Sequence, residues 1–192
     1  VRSLSPDLPV SIDTFRSSVA ARAIHKYGKV IINDISAGEL DPLIVDVAAE
    51  HDVPYVAMHM KGDPRTMQSM TDYRDIVAEV VDYFRERTAQ LRERGVRRIV
   101  VDPGFGFAKT LEQNYELLRG LHRLAELGYP VLAGVSRKSM IYKLLGTTPA
   151  EALNGTTALH WECLRQGAAI LRVHDTREAV EVVRMFDQFM QA

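Results

Sequence analysis

The sequence alternates between short apolar runs and longer amphipathic segments, and this alternation limits the possible folds more than any other feature. The apolar runs are rich in β-branched residues and are predicted strands, because buried strands of parallel sheets are apolar on both faces. They span residues 9–14, 30–35, 55–60, 99–104, 131–136 and 170–175. The amphipathic segments are predicted helices at residues 17–27, 41–51, 75–94, 110–127, 140–145, 152–165 and 176–190. This order of strands and helices predicts an α/β fold with parallel strands and right-handed crossovers.

Local signals support three of the predicted helices. Pro42 stands in the first turn of segment 41–51, where proline is common. Thr110 and Gln113 have the spacing of a capping box at the start of segment 110–127. The last segment carries an apolar stripe, which predicts that its helix packs against the core. The stripe consists of Val180, Val183 and Phe186.

Two architectures accept this order of elements, an open doubly wound sheet and a closed (β/α)₈ barrel. An open nucleotide-binding sheet is expected to carry a glycine-rich fingerprint after its first strand, and Phe15, Arg16 and Ser17 stand there instead. A barrel needs eight units and about 250 residues. Residues 1–7 look like a helix end and a loop that leads into a strand. We therefore expect residues 1–192 to be a single barrel domain that is incomplete at its N-terminus.

Composition excludes several classes of protein. Lys plus Arg is 24 and Asp plus Glu is 25, so the net charge of −1 argues against non-specific nucleic-acid binding. No apolar run approaches the roughly 20 residues of a membrane span, so we expect no membrane partner. Cys163 is the only cysteine, which excludes an internal disulfide. With no secretory signal in the sequence, a cytoplasmic location is the expectation.

A polar side chain stands at or just after the end of every predicted strand. These residues are Asp13, Asn33, Asp34, His59, Asp102, Ser136, Arg137, Lys138, Arg172 and His174. In a parallel barrel all the strand ends open onto one face, where active sites lie. Taken singly, each residue has a structural explanation: a strand-end aspartate often caps the next helix, His59 fits a satisfied buried histidine, and Asp34 points away from Asn33. Six polar strand ends together favour a binding site.

The residue types predict a planar ligand with a row of donors. Asp13, Asn33 and Asp102 provide carboxylate and amide groups that match the donor edge of a 2-aminopyrimidinone ring. Lys138 adds a donor for a ring carbonyl or a ring nitrogen.

The last strand predicts an anionic group on the same ligand. Arg172 and His174 alternate along the strand, so they point to one side, and arginine binds phosphate oxygens well. The expected substrate is therefore flat, rich in donors along one edge, and anionic at the other end.

Other common motifs fit poorly. Residues 102–109 (DPGFGFAK) lack the G-K-[ST] ending of a phosphate-binding loop, and their glycines are explained by a tight turn after the strand. The six histidines show no zinc spacing, so we predict no protein metal site. No G-x-S-x-G elbow occurs. Phe105 and Phe107 are each open to a core role or to packing on a ring.

Six longer motifs surround the predicted strand ends. They are SIDTFRSSVA (11–20), INDIS (32–36), MHMKGDPRTMQ (58–68), DPGFGFAK (102–109), GVSRKSM (134–140) and RVHD (172–175). In this order and spacing they resemble the dihydropteroate synthases, from about residue 8 to the C-terminus. The resemblance implies a pterin-binding (β/α)₈ barrel, of which this chain supplies six units, strands three to eight. It also implies a transferase of folate synthesis, which joins a dihydropterin methyl diphosphate to 4-aminobenzoate and releases pyrophosphate.

The resemblance assigns roles residue by residue. Pterin-binding positions are Asp13, Asn33, Met58, Asp102, Gly134 and Lys138; positions near the aminobenzoate are Phe107, Ser136 and Lys138; diphosphate positions are Arg172 and His174. Asp102, Lys138 and Arg172 are the expected catalytic residues. Family members are commonly homodimers, and sulfonamides compete for their aminobenzoate site.

The sequence departs from the family pattern in two places. Ala108 stands where the family often has glycine. The first two strand–helix units of the family are missing, and with them an asparagine that binds Mg²⁺ together with the diphosphate, and a Ser-Thr-Arg-Pro segment that closes over the aminobenzoate. Mg²⁺ is therefore implied as a cofactor whose protein ligand is not in this chain. We do not expect these 192 residues alone to turn over substrate.

Three other functions stay open at this point. A methyltetrahydrofolate-dependent corrinoid methyltransferase shares the strand-end Asp and Asn, although SRKSM and RVHD argue against it. A non-catalytic pterin-binding barrel fragment is consistent with the missing units. A dinucleotide-binding oxidoreductase is disfavoured because the glycine fingerprint is missing.

Overall fold

The strands are parallel and follow one another in space as they do in the sequence. The computed structural model describes residues 8–62, 65–66 and 70–191, and within these ranges the strands are β1 (Ser11–Asp13), β2 (Ile31–Asp34), β3 (Tyr55–Met58), β4 (Ile99–Asp102), β5 (Leu132–Ala133) and β6 (Ile170–Leu171). The first four form one sheet in the order β1-β2-β3-β4, and β5 pairs with β6. A parallel bridge between Val101 and Val131 connects β4 to β5. The predicted α/β fold with parallel strands is confirmed.

The helices lie between the strands as the alternation predicts. Their bounds are α1 (Ser17–Tyr27), α2 (Leu43–Glu50), α3 (Ile76–Glu93), α4 (Leu111–Arg119), α5 (His122–Ala125), α6 (Ser139–Leu145), α7 (Leu153–Arg165) and α8 (Thr176–Gln191). A 3₁₀ turn, Pro149–Glu151, precedes α7. No helix of the described residues is long and apolar enough to span a membrane. The expectations for residues 1–7, and for part of the loop at 61–72, fall outside the described residues.

Helix ends follow the local signals. Asp75 caps α3 by accepting a hydrogen bond from the Ala78 backbone N–H at 2.9 Å. Thr110 and Gln113 form the predicted capping box at the start of α4. Pro42, expected in the first turn, is instead the residue before α2. Each signal fixes the start of a helix to within one or two residues.

The single helix predicted for residues 110–127 is wrong, because the structure breaks it into α4 and α5. The break is at Gly120, where an added Cβ would lie 2.6 Å from a Val77 methyl of α3. Glycine lets the end of α4 approach α3 this closely, and the chain turns there. The periodicity of the apolar residues continues across the break and therefore gives no sign of it.

The strands are shorter than predicted at their carboxyl ends. The last predicted strand, 170–175, pairs only over Ile170–Leu171, and β5 only over Leu132–Ala133. Arg172 makes one further backbone bond to Ala133, and polar side chains stand beyond the paired residues at Ser136, Arg172 and His174. The shortening therefore occurs where the candidate site lies.

The core lies between the strands and the surrounding helices, and α8 contributes Ala179 to it. Tyr55, Phe84 and Phe105 are among the largest fully buried side chains. On α8, Val183 and Phe186 are half-buried, whereas Val180 is 49% exposed. The predicted apolar stripe is thus only partly covered by the described residues. Trp161 of α7 packs edge-on against Phe186, with ring centres 5.3 Å apart.

Candidate functional site

The register of the strands places four predicted site residues on one face of the sheet. Asp13 pairs with Asn33 across β1 and β2, and Asn33 pairs with Val56 of β3. Met58 lies two residues beyond Val56 and pairs with Asp102 of β4. Because side chains alternate between faces along a strand, Asp13, Asn33, Met58 and Asp102 share one face. Asp13 and Asn33 also touch directly, because Asn33 Nδ2 donates to Asp13 Oδ1 at 3.1 Å.

An ion pair brings the last strand to the same face. The Arg172 backbone N–H donates to the Ala133 carbonyl at 3.0 Å, which carries the β5–β6 ladder one step further. The Arg172 guanidinium lies 3.2 Å from Asp102 Oδ2, with Asp102 fully buried and the Arg172 side chain 38% exposed. The buried carboxylate of β4 and the half-exposed cation after β6 therefore belong to one site.

Gly134 makes room for that guanidinium. A Cβ at Gly134 would lie 2.8 Å from Arg172 Nη2 and 3.1 Å from its Nε. Glycine lets the arginine head lie directly over the backbone, and a larger residue would displace that head. The position assigned to the pocket wall thus has a second reason to be glycine.

Asp34 points away from this face and is structural, as predicted. Its carboxylate accepts hydrogen bonds from the backbone N–H groups of Ser36 at 2.8 Å and Gly38 at 2.7 Å. It also accepts from the Ser36 hydroxyl at 2.8 Å and from the Tyr55 hydroxyl at 2.6 Å. These bonds satisfy the carboxylate within the fold and shape the turn after β2.

Two buried acceptors on the site face find no hydrogen-bond donor among the residues that the structure describes. They are Asn33 Oδ1 and Asp102 Oδ2. Asp102 Oδ1 accepts from the Gly104 backbone N–H at 2.8 Å, whereas Oδ2 lies 3.2 Å from Arg172 Nη2 without the alignment of a hydrogen bond. An unsatisfied buried polar group costs about 1–3 kcal/mol. Both oxygens are therefore positioned to accept N–H groups from a ligand.

Lys138 lies over the turn that follows β4. Its Nζ donates to the Phe105 carbonyl and lies 5.0 Å from the centre of the Phe107 ring. Burial lowers the pKa of Lys138 to about 8, with the Asp102 carboxylate opposing the shift. Phe107 is half-buried beside the lysine, whereas Phe105 is a core residue with no exposed surface. The structure therefore separates the roles of the two phenylalanines.

Ser136 and His174 form a separate pair at the ends of β5 and β6. Ser136 Oγ lies 2.9 Å from His174 Nδ1 and accepts a hydrogen bond from the His174 backbone N–H at 3.2 Å. Ser136 is buried and His174 is exposed. Their mutual contact holds the exposed imidazole two residues after Arg172, beyond the end of β6.

Arg137 belongs to the fold, although it stands among the polar strand-end residues. Its guanidinium makes two hydrogen bonds to Asp175, at 2.7 and 2.8 Å, and donates to the Pro149 carbonyl at 2.8 Å. These bonds tie the turn after β5 to the start of α8 and to the 3₁₀ turn. With its side chain committed in this way, Arg137 is not a candidate ligand residue.

Sequence reasoning missed two residues that hold the turn after β4. Asn114 accepts from the Gly106 backbone N–H at 2.7 Å and donates to the Thr110 carbonyl at 2.6 Å. Lys109 is buried and contacts three acceptors. Burial lowers the pKa of Lys109 to about 7, against the influence of Asp102. A lysine inside an otherwise apolar and glycine-rich motif was the available signal.

The volumes of the cavities do not single out the strand ends as a binding site, whereas the unsatisfied buried acceptors do. A cavity of about 290 Å³ lies at the ends of β1 and β2 and is lined by Asp13, Thr14, Phe15, Arg16 and Ile35. Larger grooves of about 610 and 670 Å³ lie against α4 and α8, and the second is also lined by Leu171 and Val173 at the end of β6. They lack the buried orphaned acceptors found on the site face, and we therefore place the candidate site at the strand ends.

The described residues do not fit a metal centre of their own. Within them no three His, Cys, Asp or Glu side chains gather closely enough to hold a metal ion. Asp102, the buried carboxylate of the site, is surrounded by cationic side chains. We therefore assign no chemical step to a metal held by these residues.

Comparisons with known proteins agree on one family. The family described as "Pterin binding enzyme" matches residues 1–174. The dihydropteroate synthase of Synechocystis sp. is 44% identical over 184 residues, which is 94% of this chain and 63% of that protein. The chain thus spans less than two thirds of the length of that relative.

Solved structures share the fold over nearly the whole chain. Dihydropteroate synthase from Thermus thermophilus in complex with 4-aminobenzoate has a TM-score of 0.90 at 42% identity, covering 96% of this chain and 72% of that one. The same enzyme in complex with 6HMPPP also gives 0.90 at 42% identity, with 96% and 74% covered.

Proposed function

The chain belongs to the pterin binding enzyme family, and from this premise we propose that the whole protein is a dihydropteroate synthase. It would transfer the dihydropterin-methyl group from its diphosphate to 4-aminobenzoate and release pyrophosphate. The observation that carries the proposal is a pair of buried acceptors on one sheet face, Asn33 Oδ1 and Asp102 Oδ2, to which no described residue donates. Relatives solved with 4-aminobenzoate and with 6HMPPP support the same pair of substrates.

The pterin ring would bind along the orphaned acceptors. Asp102 Oδ2, which finds no donor among the described residues, would accept one N–H of the amino-pyrimidinone edge. Asn33 Oδ1 would take a further N–H, with Asp13 holding the Asn33 amide in place. Met58, fully buried beside Asp102, and Gly134 would line the pocket.

Lys138 would contact the pterin and border the aminobenzoate. Its ammonium donates to the Phe105 carbonyl, and small movements would redirect it to a ring oxygen or nitrogen. Phe107 lies next to it and offers an aromatic surface for the second substrate. Ser136 would complete this side of the site.

Arg172 and His174 would hold the diphosphate. Arg172 is half-exposed and carries a planar fork of donors that suits phosphate oxygens. His174 stands two residues further along the chain, beside Ser136. The family also implies Mg²⁺ with the diphosphate, and the described residues supply no centre for it. The positive charge that this chain itself would offer to the diphosphate is that of Arg172.

The chemistry would begin with loss of pyrophosphate from the pterin methyl carbon. The carbon–oxygen bond breaks, pyrophosphate leaves with the electron pair, and the resulting cation is delocalised into the ring. Asp102 would stabilise this cation with its negative charge, and Arg172 the departing anion. The neutral amine of 4-aminobenzoate then attacks the carbon and releases one proton, so no strong general base is needed.

We also propose that the six strands are part of a (β/α)₈ barrel and correspond to its strands three to eight. The outer edges of β1 and β6 pair with no strand among the described residues, and α8 leaves apolar side chains uncovered. Such edges are normally paired or covered. A single domain, a homodimer, a cytoplasmic location and sulfonamide competition at the aminobenzoate site complete the proposal.

A steady-state assay of the whole protein tests the activity. We expect formation of dihydropteroate and pyrophosphate from the two substrates. A corrinoid methyltransferase would instead bind cobalamin and transfer a methyl group, and a non-catalytic barrel would bind pterin without forming product. Either of these results would overturn the proposed activity.

A further inference from the structure

Lys109 and His59 form a buried contact next to the candidate site. Lys109 Nζ lies 3.1 Å from His59 Nδ1, 3.1 Å from the Gly104 carbonyl and 2.9 Å from the Phe107 carbonyl. A lysine ammonium has three donors and no acceptor, so these three partners use all of its hydrogen-bonding capacity. When Lys109 is protonated, His59 Nδ1 accepts this bond and the imidazole proton lies on Nε2.

The surroundings hold His59 in this role. His59 is 3% exposed, and its ring packs edge-on against Tyr83 with ring centres 4.9 Å apart. Burial, together with the nearby Lys109 charge, lowers the pKa of His59 well below its ordinary value. A neutral imidazole is what the lysine contact requires.

The backbone at His59 also contacts the turn after β4. The His59 N–H donates to the Asp102 carbonyl at 2.9 Å. A Cβ at Gly104 would lie 2.1 Å from the His59 carbonyl oxygen, so the two backbones are in direct contact. The end of β3 and the turn at 103–108 are therefore packed together, and Lys109 joins them through side-chain bonds.

That turn sets the position of two site residues. Gly104 donates its backbone N–H to Asp102 Oδ1, and the Phe105 carbonyl accepts from Lys138 Nζ. Phe107, whose carbonyl is bound by Lys109, has its ring beside Lys138. Any movement of the turn would move both Asp102 and Lys138.

We propose that Lys109 and His59 are a positioning pair, which fixes the turn at 103–108 and through it the orientation of Asp102 and Lys138 for the pterin ring. Lys109 has no donor left for a ligand, so it acts through the turn and not by contact with substrate. The inference rests on the proposed function, because pterin is the ligand whose binding reports the position of the turn.

Calorimetry on the whole protein tests the pair, with a hydroxymethyl pterin and inorganic pyrophosphate as separate probes. Lys109→Met and His59→Leu should each raise the pterin Kd about tenfold or more, the change expected from loss of a charged hydrogen bond. His59→Asn is the matched control, because its side-chain oxygen can accept from Lys109 as Nδ1 does. It should stay within about threefold of the parent. Pyrophosphate binding near Arg172 should change by less than about twofold in all variants.

The outcomes separate this inference from the proposed function. If the parent binds pterin and His59→Asn is as weak as His59→Leu, or neither differs from the parent, the positioning role is overturned. If Lys109→Met does not fold, the two His59 variants decide alone. If the parent binds no pterin, the proposed function fails, and the positioning role for a pterin site fails with it.

Discussion

Replacement of Asp102 by asparagine tests the candidate site, because it exchanges one carboxylate oxygen for an NH₂ group. Asp102 is fully buried, its Oδ1 accepts from the Gly104 N–H at 2.8 Å, and its Oδ2 accepts from no residue in the described part of the chain. In Asp102→Asn the amide oxygen keeps the Gly104 bond, so the NH₂ group stands where Oδ2 stood. That group cannot accept a ligand N–H and presents a donor to it.

The size of the effect follows from these atoms. The variant loses one hydrogen bond to a charged acceptor, about 1.5–3 kcal/mol, and leaves a ligand donor without a partner, about 1–3 kcal/mol. A combined loss of about 3 kcal/mol corresponds to roughly a 100-fold weaker pterin Kd. We expect kcat/KM to fall by more than about tenfold as well.

Asp34→Asn is the matched control, because Asp34 is equally buried but faces away from the site. It should lower the melting temperature while the folded protein keeps a pterin Kd near that of the parent. Pterin calorimetry and thermal unfolding on both variants give the two readouts. A near-parental Kd and kcat/KM for Asp102→Asn would refute the reasoning.

Three further predictions concern the cationic side of the site. Arg172→Ala should weaken pyrophosphate binding by about tenfold or more; unchanged affinity in calorimetry would count against the anion-binding role. Gly134→Ala should reduce the same affinity several-fold without unfolding the protein, because its Cβ would displace only the flexible Arg172 head, 2.8 Å away; a crystal structure with Arg172 unmoved would contradict this. Acylation of Lys138, followed by mass spectrometry, should titrate near a pKa of about 8. Because burial lowers its folded pKa below the ordinary 10.5, the unfolded chain binds more protons between these values, and Lys138 should make stability rise with pH there. If a Lys138→Met variant showed the same dependence of stability on pH as the parent, this prediction would be wrong.

The sequence was sufficient for the alternation of strands and helices and for grouping the candidate site residues on one face of the sheet. Apolar runs and their polar ends are local patterns, and parallel pairing aligns those ends whatever the details of packing. Asp13, Asn33 and Asp102 can therefore be grouped from the sequence alone. The register of the strands places the three side chains on the same face of the sheet, which agrees with that grouping.

Features that depend on distant contacts could not be predicted. The break at Gly120 depends on Val77 of another helix, and Lys109 depends on His59, 50 residues earlier. Arg137 resembles its neighbours Ser136 and Lys138 in the sequence, and only the position of Asp175 shows that it is structural. In each case the partner lies far along the sequence, where no periodicity reports it.

Ala108 departs from the family pattern at a turn whose backbone conformation favours glycine. It is buried and has a φ of 50°, in the left-handed region that favours glycine. This is the position at which the family pattern often has glycine. The backbone of the turn explains that preference.

The most direct test of the central claim is a crystal structure of the whole protein with dihydropterin methyl diphosphate. We predict that the amino-pyrimidinone edge donates to Asp102 Oδ2 and Asn33 Oδ1, while the diphosphate lies within hydrogen-bond distance of Arg172. A ring bound in the grooves beside α4 or α8, or a diphosphate away from Arg172, would contradict the account.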